Sequence, residues 1–62
     1  MAKNPIMSWR NIFCADHKMW WNINAAQNMA VLCEYPYFAW NGWIYNTKSL
    51  EQISTLDAEG LN

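Results

Sequence analysis

The run Phe38-Ala39-Trp40-Asn41-Gly42-Trp43-Ile44-Tyr45 constrains this chain more than any other stretch. Asn and Gly both tolerate positive φ, as the two central residues of a type I′ turn must. Aromatic and β-branched flanks suit paired strands. The spacing predicts a tight hairpin that sets Trp40 against Trp43, Ala39 against Ile44 and Phe38 against Tyr45. Pro36 suits the first residue of an edge strand, where no ladder donor is needed. A hairpin alone is marginal in water and needs further strands or a helix against it. This chain has only 62 residues to supply them. Folding at that length buries about 60% of the surface the unfolded chain exposes.

The segment after the hairpin reads as a helix. Leu50, Ile53 and Leu56 recur at spacing three, Ser49 stands as cap with Gln52 three residues on, and Gly60 is a stop. Asp57 and Glu59 oppose the helix dipole and predict a frayed last turn. Residues 17–34 allow two readings. One is a long helix with Met19, Ile23, Ala26, Ala30 and Cys33 as its stripe. The preferred one is a strand over Met19–Asn24, then a helix capped by Asn24 with Ala26, Met29, Ala30 and Cys33 on one face. Trp and Asn are poor residues for a helix interior, which favours the split.

The split exposes a weak internal repeat. A shift of 24 residues lays Trp20-Trp21-Asn22 on Ile44-Tyr45-Asn46, and Asp16-His17-Lys18 on the corner of the hairpin. The expected fold is therefore α+β. It is a small antiparallel sheet with helices on one face, arranged as a ββα-ββα pseudo-repeat in one domain over residues 1–62. The hairpin–helix units span about 8–34 and 35–60. The alternative is a long helix, a β-hairpin and a C-terminal helix.

In the repeat reading, Ile12, Cys14, Met19, Trp21, Ile23, Phe38, Trp40, Trp43 and Tyr45 face the helices. Phe13, Ala15, Trp20, Asn22, Tyr37, Ala39, Ile44 and Asn46 face away. That outer face is aromatic, amide-rich and uncharged, the make-up of an interface centre. In the long-helix reading, Trp21, Ala25 and Leu32 form a second apolar stripe opposite the first. Either way a chain with five Trp owns more apolar surface than it can bury alone.

Residue types that carry chemistry are sparse. Cys14, Asp16, His17, Cys33 and Glu34 are the types a zinc site uses, but only one close spacing is present where strong zinc signals have two. A Cys14–His17 nucleophilic pair lacks the separated third group that catalytic sites gather. Two glycines exclude a phosphate-cradling loop. A Cys14–Cys33 disulfide is compatible with both facing the core and matters only in an oxidising compartment. No enzyme activity and no cofactor are expected.

Net charge is −1, and Lys3, Arg10, Lys18 and Lys48 form no basic run, which argues against nucleic acid as partner. Hydrophobic residues make up 53% of the chain and aromatics 16%, which excludes intrinsic disorder. Asn22, Asn24, Gln27 and Asn28 interrupt the most apolar window, so no membrane span and no secretory signal are expected. A cytoplasmic location with reduced cysteines follows.

The expected function is a non-enzymatic protein-binding module of the accessory or inhibitor type, a kind that phages often encode. It would occlude or bridge a protein partner. Phe13, Trp20, Tyr37 and Ile44 are its candidate anchors, with Asn22 and Asn46 giving directional hydrogen bonds. Two alternatives are a structural subunit that buries its surplus surface in a homodimer and, behind it, a small metal-binding domain.

Overall fold

The structure is a computed structural model that describes residues 8–17 and 21–61. Strand β1 (Ile12–Cys14) leads into a single 3-10 turn (Ala15–His17) and then helix α1 (Ile23–Leu32). Strands β2 (Tyr37–Trp40), β3 (Trp43–Asn46) and β4 (Gln52–Thr55) follow, and helix α2 (Leu56–Glu59) closes the chain. The strands form one sheet in the order β1-β2-β3-β4. The fold class is α+β, with four strands and two α-helices among the described residues.

The central hairpin forms in the register the sequence predicts, with Phe38 opposite Tyr45, Ala39 opposite Ile44 and Trp40 opposite Trp43. Asn41 at φ 58° and Gly42 at φ 82° match a type I′ turn. Asp16 locks this turn from outside. Its two carboxylate oxygens accept from the Gly42 N–H at 3.1 and 3.0 Å.

The sheet is mixed rather than wholly antiparallel. β1 runs parallel to β2, with Ile12 beside Tyr37, Phe13 beside Phe38 and Cys14 beside Ala39. Parallel neighbours need a crossover, and α1 supplies it. The expected turn at Asp16-His17-Lys18 is replaced at Asp16 and His17 by the 3-10 turn. Lys18, Met19 and Trp20 lie outside the described residues.

Trp21 and Asn22 belong to no strand, and α1 starts two residues before the position expected from Asn24. Asn22 is the cap, and its side chain accepts from the Ala25 N–H at 2.7 Å. Its extended backbone lets the first helical donors reach that oxygen. Both readings of this segment are thereby corrected: Trp21 and Asn22 make no strand, and the helix does not run from His17 to Glu34. The pseudo-repeat loses its first hairpin with them.

The predicted helix over residues 50–60 is also corrected. Asn46 accepts the N–H groups of Lys48 and Ser49 on its side chain and that of Leu50 on its backbone. The turn leaves Leu50 at φ 62°, a conformation that ends any helix there. Ser49 Oγ accepts from the Glu51 N–H, so it serves the turn rather than a helix start. Gln52–Thr55 then pair with β3, and Ile53 is the extra residue of a bulge, because Tyr45 sits opposite Gln52 while Ile44 sits opposite Ser54. Only the last turn is helical. Thr55 caps it by accepting from the Ala58 N–H, and Gly60 ends it at φ 75°.

Successive strand residues face opposite sides, so Phe38 and Ala39 seed two cores. On the first face, α1 sets Ala26 and Ala30 on Phe38 and Tyr45, with Phe13, Trp21, Tyr35 and Trp40 around them. Phe38 and Tyr45 stack at 5.3 Å. On the second face, Ile12, Ala39 and Ile44 are covered by Leu56 and Leu61. The helices therefore lie on opposite faces, not on one. The hairpin side chains face as expected, whereas β1 is reversed: Phe13 packs toward α1 and Ile12 away from it.

Candidate binding groove

The open end of the β2–β3 hairpin and the end of α1 enclose an open groove of about 590 Å³. Val31 and Glu34 come from the end of α1, Tyr35, Pro36 and Tyr37 from the chain leading into β2, and Asn46, Thr47 and Lys48 from the end of β3. Two bonds tie these segments together, and a third ties them to the residue before β1. The Thr47 N–H donates to the Pro36 carbonyl at 3.0 Å, Gln27 Nε2 donates to the Thr47 carbonyl at 2.9 Å, and the Tyr37 N–H donates to the Asn11 carbonyl at 3.3 Å.

The geometry of the α1 terminus produces the groove wall. Glu34 stands at φ 62°, its N–H donates to the Val31 carbonyl, and the Tyr35 N–H donates to the Ala30 carbonyl. This bond pair is a Schellman motif with Glu in the position usually held by Gly. It turns Tyr35 back onto Phe13, with ring centres 5.9 Å apart. Val31 and Leu32 are left outside, 54% and 74% exposed. The core-facing positions of α1 are Ala26 and Ala30, so the two larger aliphatics next in the chain project away from the sheet.

The six candidate residues do not gather on one surface. Tyr37 and Asn46 line the groove as neighbours across the hairpin. Phe13 lies on the other face, edge-on to Trp21 at 6.1 Å. Ile44 is fully buried under Leu56 and Leu61, so its side chain presents nothing to a partner. Asn22 is exposed and spends its side-chain oxygen on the α1 cap. Trp20 lies outside the described residues.

Sequence reasoning did not place Val31, Tyr35, Pro36, Thr47 or Lys48 in a site. Leu32, in the second stripe opposite the core stripe, is exposed next to Val31 in the chain but does not itself line the groove. Thr47 is 3% exposed, and its hydroxyl has no hydrogen-bond partner among the described residues. Such an orphan is costly in a folded chain. The other exposed large apolar residues, Trp9, Leu32, Trp43 and Ile53, fall outside the groove lining.

The titratable groups are few. Burial, with the Asp16 charge second, pushes the Cys14 thiol up, against a smaller opposing effect of a backbone hydrogen bond at His17. Both cysteines are free thiols, Cys14 half-buried and Cys33 exposed. Among the described residues no three of His, Cys, Asp and Glu lie close enough to hold a metal ion, which leaves Cys14, Asp16, His17, Cys33 and Glu34 without a common centre. Among them, too, no helix is long and apolar enough to cross a membrane. No family model, curated protein or solved structure matches the chain.

Proposed function

We propose that this chain is a small non-enzymatic protein-binding module that holds a partner protein in the groove between the end of α1 and the open end of the β2–β3 hairpin. The supporting observation is the placement of exposed Val31 beside the Tyr35, Pro36 and Tyr37 walls of the groove. A bulky apolar side chain of the partner seats between Val31 and Tyr37. The exposed Glu34 and Lys48 select partners with complementary charges at the rim. The module acts as an accessory or inhibitor, by occluding or bridging. Free cysteines suit a reducing, cytoplasmic setting.

The test compares wild type with Val31→Glu and Tyr37→Ala in affinity capture from lysate of the source cells. Loss of an apolar anchor weakens capture of one discrete protein about tenfold or more, while circular dichroism stays unchanged. Equal capture by folded variants overturns the reading. Light scattering across concentration covers the rival: a wild-type dimer that both substitutions turn into monomer replaces the partner by a second copy.

A further inference from the structure

The dipeptide that makes the hairpin is also a chemically labile one. In an Asn-Gly pair the Gly nitrogen has no neighbouring side chain to hinder its attack on the Asn amide carbon. The deprotonated Gly42 nitrogen would bond to Cγ of Asn41, and the side-chain nitrogen would leave as ammonia after taking a proton. The five-membered succinimide then opens with one water at either carbonyl. The products are Asp or isoaspartate at position 41, with ammonia released. Asn41 and Gly42 are exposed, so water reaches them.

The same nitrogen is held in this fold. The Gly42 N–H donates to both carboxylate oxygens of Asp16, at 3.1 and 3.0 Å. The far side of the residue is held too, because the Gly42 carbonyl accepts from the Leu56 N–H at 3.1 Å. We propose that Asn41 is a latent deamidation site, and that Asp16, reaching over from the 3-10 turn, keeps it closed.

Two effects act together. A carboxylate is far too weak a base to remove a backbone amide proton, so it holds the N–H instead of activating it. Its negative charge also opposes the amide anion that the attack requires. Ring closure must in addition rotate the Asn41–Gly42 peptide, which pulls the N–H off the carboxylate and breaks a charge-assisted bond. Asp16 is thus a protecting residue for the turn as well as a structural tie. Conversion to isoaspartate adds a backbone methylene to the turn and sets a second carboxylate beside Asp16.

The experiment ages full-length wild type, Asp16→Ala and Asp16→Asn side by side at neutral pH, with wild type in urea as the unfolded reference. Peptide mapping by mass spectrometry measures Asp and isoaspartate at position 41. Unfolded wild type converts fastest and folded wild type slowest. Asp16→Ala converts about tenfold faster than folded wild type. Asp16→Asn, which keeps the shape and loses the charge, also exceeds wild type. Amide exchange at Phe38 and Tyr45 reports whether the hairpin stays closed. Where a variant loosens it, wild type is aged in urea matched to that exchange, and the variant must still convert faster. Equal conversion at matched exchange, an Asp16→Asn rate equal to wild type, or folded wild type as fast as unfolded overturns the proposal.

Discussion

On one face of the sheet, the ten-residue α1 ends at Glu34 and returns Tyr35 to Phe13. On the other, the four-residue α2 ends at Gly60 and returns Leu61 to Ile12, Ala39 and Ile44. The hydrogen bonds are the same pair. The Leu61 N–H donates to the Leu56 carbonyl and the Gly60 N–H to the Asp57 carbonyl, as Tyr35 and Glu34 do to Ala30 and Val31. Each left-handed residue reverses the chain and drops the next side chain onto the sheet. What differs is the cover each face requires. The first buries large rings, Phe38 and Tyr45, and needs a helix lined with alanine to approach them. The second buries Ala39 between two isoleucines, a shallower surface that two leucines can close. A short chain can therefore protect a two-sided sheet by placing the longer of these two helices over the rings.

The largest test of this contrast is Phe38→Ala. Removing the ring at the centre of the first face costs about 3–5 kcal/mol. That equals the whole stability expected of so small a core. Circular dichroism should find the variant largely unfolded at room temperature; a cooperative transition near the wild-type midpoint would break the contrast. Ending the chain after Glu59 removes Leu61 and its turn. Urea unfolding should register a loss of about 1–2 kcal/mol with the hairpin intact, because a half-buried leucine is involved. A loss as large as that of Phe38→Ala would make the two faces equal partners.

Exchanging the residues at the two helix ends gives a smaller effect of predictable sign. Glu34→Gly relieves a left-handed non-glycine residue and should raise stability by about 1 kcal/mol, whereas Gly60→Ala should lower it by about as much. Denaturant midpoints moving in the same direction would sink the shared motif. The smallest effect concerns the thiols. At neutral pH a maleimide should modify exposed Cys33 well before Cys14, which burial and the Asp16 charge keep protonated. The folded state holds the Cys14 proton more tightly than the unfolded state does. Its contribution is thus complete below the ordinary thiol range and lost as pH rises through the raised value. A Cys14→Ser variant should lack that alkaline loss in urea titrations.

The legible parts share one trait, in that their signals are complete within a few residues. The Asn41-Gly42 turn and the register around it need no distant partner to be specified. Gly60 marked a helix end, correctly, because positive φ is cheap for glycine. Glu34 hid the equivalent end because its side chain does not advertise the conformation it adopts. Leu50, Ile53 and Leu56 misled for the opposite reason, since their helical spacing is real but runs across a turn, a bulge and a cap. Of the site, Tyr37 and Asn46 were legible as hairpin neighbours. Val31 reaches the groove only through the crossover that brings α1 against the sheet.

Local chemistry settles the hairpin, the need for cover and the class of fold, since turn preference and apolar excess are properties of the chain itself. Long-range packing chose the rest. It set β1 parallel, turned the expected second helix into an edge strand and placed the leucines over Ile44. Those choices depend on which donors and apolar faces meet across the sheet. Such meetings join residues far apart in the chain, as Asp16 and Gly42 do, and no local pattern encodes them.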